Sequence, residues 1–182
     1  MRFCGKVAEF DPLMAMRELN SNNDLWNQHN IRTTFPGTPF AETADIWLRY
    51  GDDPATMGGP HFPVWYPAWH KLPALHDVLR QIMGLFEPYH VGGILLTRMP
   101  RGSRILPHND VGCWHPEFYT TKVYAILKSN DKCVNHFRDE EGAESAVMKS
   151  GEIWWFNNLV THSVENNGDS SRVAMIVCMR CE

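Results

Sequence analysis

No apolar run in this chain is long enough to cross a bilayer. The longest, around Ile94-Leu96 and Ala174-Met179, fall far short of the roughly 20 residues a spanning helix needs. No apolar stretch follows Met1-Arg2, so no signal peptide is expected and the chain reads as soluble, with no membrane partner. A second C-x-x-C is also missing. Cys178-x-x-Cys181 stands alone, which argues against a zinc site and for a terminal strand with two small apolar side chains. The five cysteines are odd in number and follow no regular framework, so reduced thiols in the cytoplasm are expected. Excess positive charge is absent too. A net charge of −4 and a pI near 6.1 argue against a broad phosphate-binding surface, so nucleic acid is not the expected partner. There is no repeat, low-complexity tract or linker, and 182 residues form a single domain, 1–182, by length.

What is present in excess is tryptophan, seven residues, and histidine, nine. Tryptophan is seldom left to solvent, so several should wall a core or a pocket. The N-terminal half, 1–91, reads as a helical and extended support region that also offers pocket walls. Asp11-Pro12 starts a helix, a short second helix carries Leu25 and Trp26, and Ile31 to Gly37 reads as extended. Ala44 to Tyr50 has strand composition. Met57 to Pro67 is a Gly-, Pro- and aromatic-rich loop of the kind that covers a site or a core edge. The clearest helix runs from about Pro73 to Phe86, with Leu75, Val78, Leu79, Ile82 and Phe86 on one stripe, and Pro88 stops it.

From residue 92 to 182 the pattern changes to short strands between turns: 94–99, 105–110, 122–127, 133–138, 146–149, 152–156, 161–165 and 172–179. That count predicts a mainly β fold with flanking N-terminal helices, a sandwich or barrel of the jelly-roll kind carrying the functional site. Within it His108-Asn109-Asp110 is the focus. In a strand, positions i and i+2 share a face, so His108 and Asp110 can reach one metal ion, and His162 from another strand adds a second imidazole. Two histidines and one carboxylate on one side of a metal leave open positions, as a non-haem Fe(II) oxygenase requires. Asn166-Asn167-Gly168-Asp169 is a strong turn signal. A three-residue loop there pairs residue 165 with 169, and hence His162 with Arg172 on adjacent strands. A buried arginine is costly without an anion, and its planar fork suits a carboxylate. Arg172 therefore predicts a dicarboxylate co-substrate, 2-oxoglutarate. Each of these residues taken alone is more simply structural; their joint spacing carries the reading. His29, His61, His70, His76, His90 and His136 are read as surface or structural.

The segments around these residues resemble the aspartyl/asparaginyl β-hydroxylase family of 2-oxoglutarate oxygenases. The resemblance lies in Thr97-Arg98-Met99, Gly102, Ile105-Leu106-Pro107-His108, Gly151-Glu152, Trp154-Trp155-Phe156-Asn157-Asn158, Thr161-His162-Ser163-Val164-Glu165-Asn166 and Ser171-Arg172-Val173. It covers roughly residues 92 to 180. It implies a double-stranded β-helix (jelly-roll, cupin-like) fold, with Fe(II) held by His108, Asp110 and His162, and 2-oxoglutarate chelating that iron with its far carboxylate on Arg172 and the Thr97 hydroxyl. O2 is the co-oxidant and ascorbate the expected reductant in vitro. Where the family carries Arg-x-His, this chain has Lys122-x-Tyr124, which places those two beside the co-substrate. Retention of Asp110 argues against a halogenase and against a thiol dioxygenase of the three-histidine kind.

The activity so implied is hydroxylation of an unactivated C–H bond, in an amino-acid side chain of a protein or peptide or in a free amino-acid-like molecule. Arg49, Trp47, Trp114 and His115 are the candidate substrate contacts, with Trp65, Tyr66 and Trp69 as further walls. A nucleic-acid demethylase fits poorly with the acidic balance. The non-enzymatic alternative is a cupin-like metal- or metabolite-binding module, which would show no turnover of 2-oxoglutarate.

Overall fold

Alternating apolar positions in the C-terminal half give strands with two buried faces, and the chain closes them into two facing sheets. The computed structural model describes residues 2–53, 63–110 and 119–181. In chain order the N-terminal part holds β1 (Cys4–Glu9), α1 (Leu13–Ser21), α2 (Ile31–Thr34), β2 (Ala44–Gly51), β3 (Pro63–Trp65), α3 (Pro67–Lys71) and α4 (Ala74–Phe86). There follow β4 (His90–Met99), β5 (Arg104–His108), β6 (Thr121–Lys128), β7 (Cys133–Asp139) and β8 (Gly142–Val147). The last three are β9 (Glu152–Phe156), β10 (Thr161–Asn166) and β11 (Arg172–Arg180). One sheet has the order β1-β9-β6-β11-β4-β2-β3, the other β5-β10-β7-β8, and every pairing is antiparallel. This is the expected double-stranded β-helix, mainly β with helices from the N-terminal part.

The period of two along β11 decides what lies where. Val173, Met175, Val177 and Met179 pack with Leu75, Val78, Leu79 and Ile82 of α4. Each such side chain contributes roughly 1.5–3 kcal/mol on burial. Ala174, Ile176 and Cys178 turn the other way, into an interior shared with Tyr124, Phe137 and Phe156. Helix α4 starts where the Ala74 N–H donates to Glu18 of α1 at 2.9 Å. It ends at Glu87, whose left-handed φ of 45° closes the last turn just before Pro88.

Two local expectations are corrected, at residues 31–37 and in the register of β10. Residues 31–37 are not wholly extended: α2 is one turn, held by the Thr33 and Thr34 hydroxyls donating back to the Asn30 carbonyl, and Phe35 before Pro36 turns extended and ends it. β1 has no clear sequence signal, because as an edge strand it buries little of its length. Together with β2 and β3 it joins the large sheet directly, so residues before 92 contribute strands as well as support. Finally, β10 and β11 do not form a hairpin. The turn at 166–171 carries the chain from one sheet to the other, and His162 pairs with His108 instead of Arg172.

Candidate metal centre

A histidine needs one ring nitrogen free to bind a metal, and a hydrogen bond at the other nitrogen settles which. Both candidate histidines follow the same pattern. His108, at the end of β5, places Nδ1 2.8 Å from the Leu106 carbonyl, and His162, in β10, places Nδ1 3.0 Å from the Val160 carbonyl. A carbonyl only accepts, so Nδ1 carries the proton in each and Nε2 keeps its lone pair. The two residues are register partners, with ring centroids 4.3 Å apart. Asp110 lies two residues past the end of β5, where its N–H meets the Asn158 carbonyl at 3.4 Å. The irregular backbone just past the strand, not strand alternation, delivers it. Ligand atoms of His108, Asp110 and His162 lie within 4.8 Å of one another.

The electrostatics suit a cation. Burial, then the neighbouring imidazole of His162, pushes His108 down from 6.5 to about 4. Burial, then Lys122, also lowers His162. Both rings are therefore neutral near pH 7, as ligands must be. Burial alone would raise Asp110, but the Lys122 ammonium beside it wins and holds it below its ordinary value. Lys122 Nζ donates to Asp110 Oδ2 at 2.6 Å, with both side chains nearly buried. This donor set of two neutral imidazoles and one carboxylate fits a divalent first-row metal.

Arg172 enters the same interior from the opposite sheet and is 1% exposed. Its guanidinium lies 5.0 Å over the Tyr124 ring, Tyr124 stacks on Phe156 at 4.4 Å, and Phe156 meets His162 edge-on at 5.4 Å. Nε and Nη2 of Arg172 have no hydrogen-bond partner. A buried charged donor left unpaired is expensive, so an anion at these two nitrogens would be stabilised. Lys122 and Tyr124 both face this interior. Thr97 does too, and its hydroxyl donates to Asp45 Oδ1 at 2.8 Å.

The substrate contacts fare differently. Trp114 and His115 lie outside the described residues. Trp47 is buried in an aromatic group with Tyr50, His29 and Tyr66. Arg49 stacks over Trp65 at 5.1 Å and donates to the Val91 carbonyl at 3.3 Å. Among the described residues neither lines the cleft beside Asp110. That cleft is lined by Arg32, Phe40, Leu95, Ile176, Asp110 and Lys122. Arg32 and Phe40 were invisible to periodicity. The one signal was Asp45, an acid next to the apolar run Ile46-Trp47-Leu48, which requires a buried partner; that partner is Arg32, at 2.7 Å.

The family model for aspartyl/asparaginyl beta-hydroxylase matches residues 64–180. Among solved structures, a 2OG-Fe(II) oxygenase-family oxidoreductase from Burkholderia pseudomallei aligns over 100% of this chain and 85% of its own. The TM-score is 0.66 at 13% identity. A Trichoplax adhaerens prolyl hydroxylase, solved with a hypoxia inducible factor peptide fragment, gives 0.64 at 10% identity, covering 98% and 83%. A Pseudomonas putida prolyl-4-hydroxylase gives 0.58 at 15%, covering 99% and 93%. At such identities these similarities speak for the fold. A search of curated proteins finds no match.

Proposed function

Because the chain belongs to the aspartyl/asparaginyl β-hydroxylase family, and is thereby a 2-oxoglutarate-dependent hydroxylase using Fe(II) and O2, we propose that its iron is held by His108, Asp110 and His162, with Arg172 holding the far carboxylate of 2-oxoglutarate. The observation that carries this is the coincidence of three convergent donors with a buried guanidinium lacking partners at two nitrogens. The substrate is an amino-acid side chain, in a peptide or as a free molecule. The odd cysteine count supports a cytoplasmic site of action, and no helix of the described residues is long and apolar enough to cross a membrane.

When bound, Fe(II) supplies the O2-activating chemistry whose net result is succinate, CO2 and a hydroxylated substrate. The chain's own residues do the rest. The Leu106 and Val160 carbonyls fix Nδ1 as the protonated nitrogen of each ring, so the two Nε2 lone pairs and the Asp110 carboxylate would hold the ion. Lys122 keeps Asp110 ionised. Tyr124 supports the Arg172 guanidinium from beneath, and Leu95, Ile176 and Phe40 keep water from the cleft. The test is succinate formation from 2-oxoglutarate, dependent on Fe(II) and ascorbate and abolished in His108→Ala. Undiminished succinate in that variant would remove the metal assignment.

A further inference from the structure

We infer that Arg32 is the substrate-recognition residue of this hydroxylase and that the group it recognises is a substrate carboxylate. The inference rests on the reading of Arg172 as the co-substrate's anchor. Arg32 comes from α2, N-terminal to the family match at 64–180, so this part of the cleft belongs to the chain's own N-terminal region.

Arg32 is fixed from three sides. Nη1 donates to Asp45 Oδ2 at 2.7 Å, while the other Asp45 oxygen accepts from Thr97. The guanidinium lies flat on Phe40, 3.4 Å from the ring centroid. Its backbone carbonyl accepts from the Thr38 hydroxyl at 2.6 Å, which ties the loop carrying Phe40 to α2. Phe40 in turn meets the His108 ring edge-on at 4.8 Å. Arg32 is therefore preorganised one aromatic ring away from a proposed metal ligand, on the wall of the cleft that Asp110 also lines.

A buried ion pair gives little stability over an apolar pair of the same volume, so fold stability alone does not call for the Arg32–Asp45 pair here. The planar guanidinium fork of five N–H donors matches a carboxylate. The ion pair with Asp45 runs through Nη1, and Leu95, Ile176 and Phe40 line the same cleft as Arg32, an apolar bed for the carbon chain behind a bound carboxylate.

The test uses the protein loaded with Mn(II) and N-oxalylglycine, with binding read by calorimetry. The probes are free L-aspartate, L-asparagine and L-proline against their α-carboxamides, and N-acetyl-L-aspartyl amide against N-acetyl-L-asparaginyl amide. The first set reports an α-carboxylate and the last pair a side-chain carboxylate. At least one carboxylate is expected to bind roughly 10–100-fold tighter than its amide, the size of a charge-assisted pair. That preference should vanish in R32Q and in R32Q/D45N, the double variant sparing Asp45 a lone buried charge, with folding checked by near-UV circular dichroism. N-oxalylglycine affinity should fall in R172Q and hold in the Arg32 variants. Absence of any carboxylate preference in the parent protein overturns the inference, as does its survival in R32Q/D45N. Loss of N-oxalylglycine in the Arg32 variants would assign Arg32 to the co-substrate. Retention in R172Q would overturn the Arg172 reading, and the inference with it.

Discussion

Lys122 Nζ sits 2.6 Å from Asp110 Oδ2, so an ammonium holds the carboxylate that the proposed metal needs. The pairing keeps Asp110 charged in the metal-free protein, and the carboxylate still lies within ligand range of His108 and His162. Lys122→Met should strand a buried carboxylate and destabilise the metal-free protein by about 3–5 kcal/mol, a fall in Tm on the order of 10 °C. Mn(II) should then restore more Tm in the variant than it adds to the parent. Equal metal-induced shifts in thermal unfolding would show that Lys122 is not Asp110's counter-ion.

Replacing a ligand is a harsher change. His108→Ala, Asp110→Ala and His162→Ala should each weaken Mn(II) binding by more than the roughly 10–100-fold lost when only a hydrogen bond behind a ligand is removed. Electron paramagnetic resonance of free Mn(II) measures this directly. Tight binding in any of the three would strike that residue from the site.

Arg172→Met should separate stability from function. It removes two buried donors that have no partner, so the metal-free variant should be more stable than the parent by about 1–3 kcal/mol. The KM for 2-oxoglutarate should rise in the same protein. A less stable variant with an unchanged KM would contradict both halves.

The pH dependence follows from His108. In the unfolded chain this imidazole takes a proton near 6.5, in the folded chain only near 4. The unfolded state thus binds more protons between those values, and the metal-free protein loses stability as pH falls from 6.5 toward 4. Mn(II) affinity, limited by protons on His108, should stay nearly flat down to about pH 5 and drop below it. Titrations at stepped pH check this; a decline centred on 6.5 would mean an ordinary, solvent-like histidine.

Asn166 fastens the crossover between the sheets. It donates to the carbonyls of Met99, Pro100 and Ser170 and accepts from Asn130 and the Gly168 N–H. Asn166→Ala should cost about 2–4 kcal/mol at roughly 1 kcal/mol per bond, read from denaturant unfolding. A loss below about 1 kcal/mol would mean the turns hold themselves.

Much of the site was legible because its chemistry is local. His108 and Asp110 are two residues apart, and their types narrow the metal before any fold is known. The α4 stripe was legible because its period of 3.6 matches one buried face. The expected register of His162 with Arg172 failed for a reason that spacing cannot contain. A turn signal at 166–169 reports that the chain reverses, not which sheet it enters. The bond from the Thr97 hydroxyl to Asp45 was not legible, since Asp45 lies on a neighbouring strand far away in sequence.

The amino-acid order by itself determined the donor types, the alternation that makes strands, and the arginine that asks for an anion, because each is set by covalent spacing and by which side chains leave water. Tertiary structure alone decided that β10 and β11 part into opposite sheets, that Lys122 reaches Asp110, and that Arg32 arrives beside them from the N-terminal region. Such contacts are chosen when whole faces are buried together and every charge taken inside must find an opposite one, a condition that no local stretch of sequence can express.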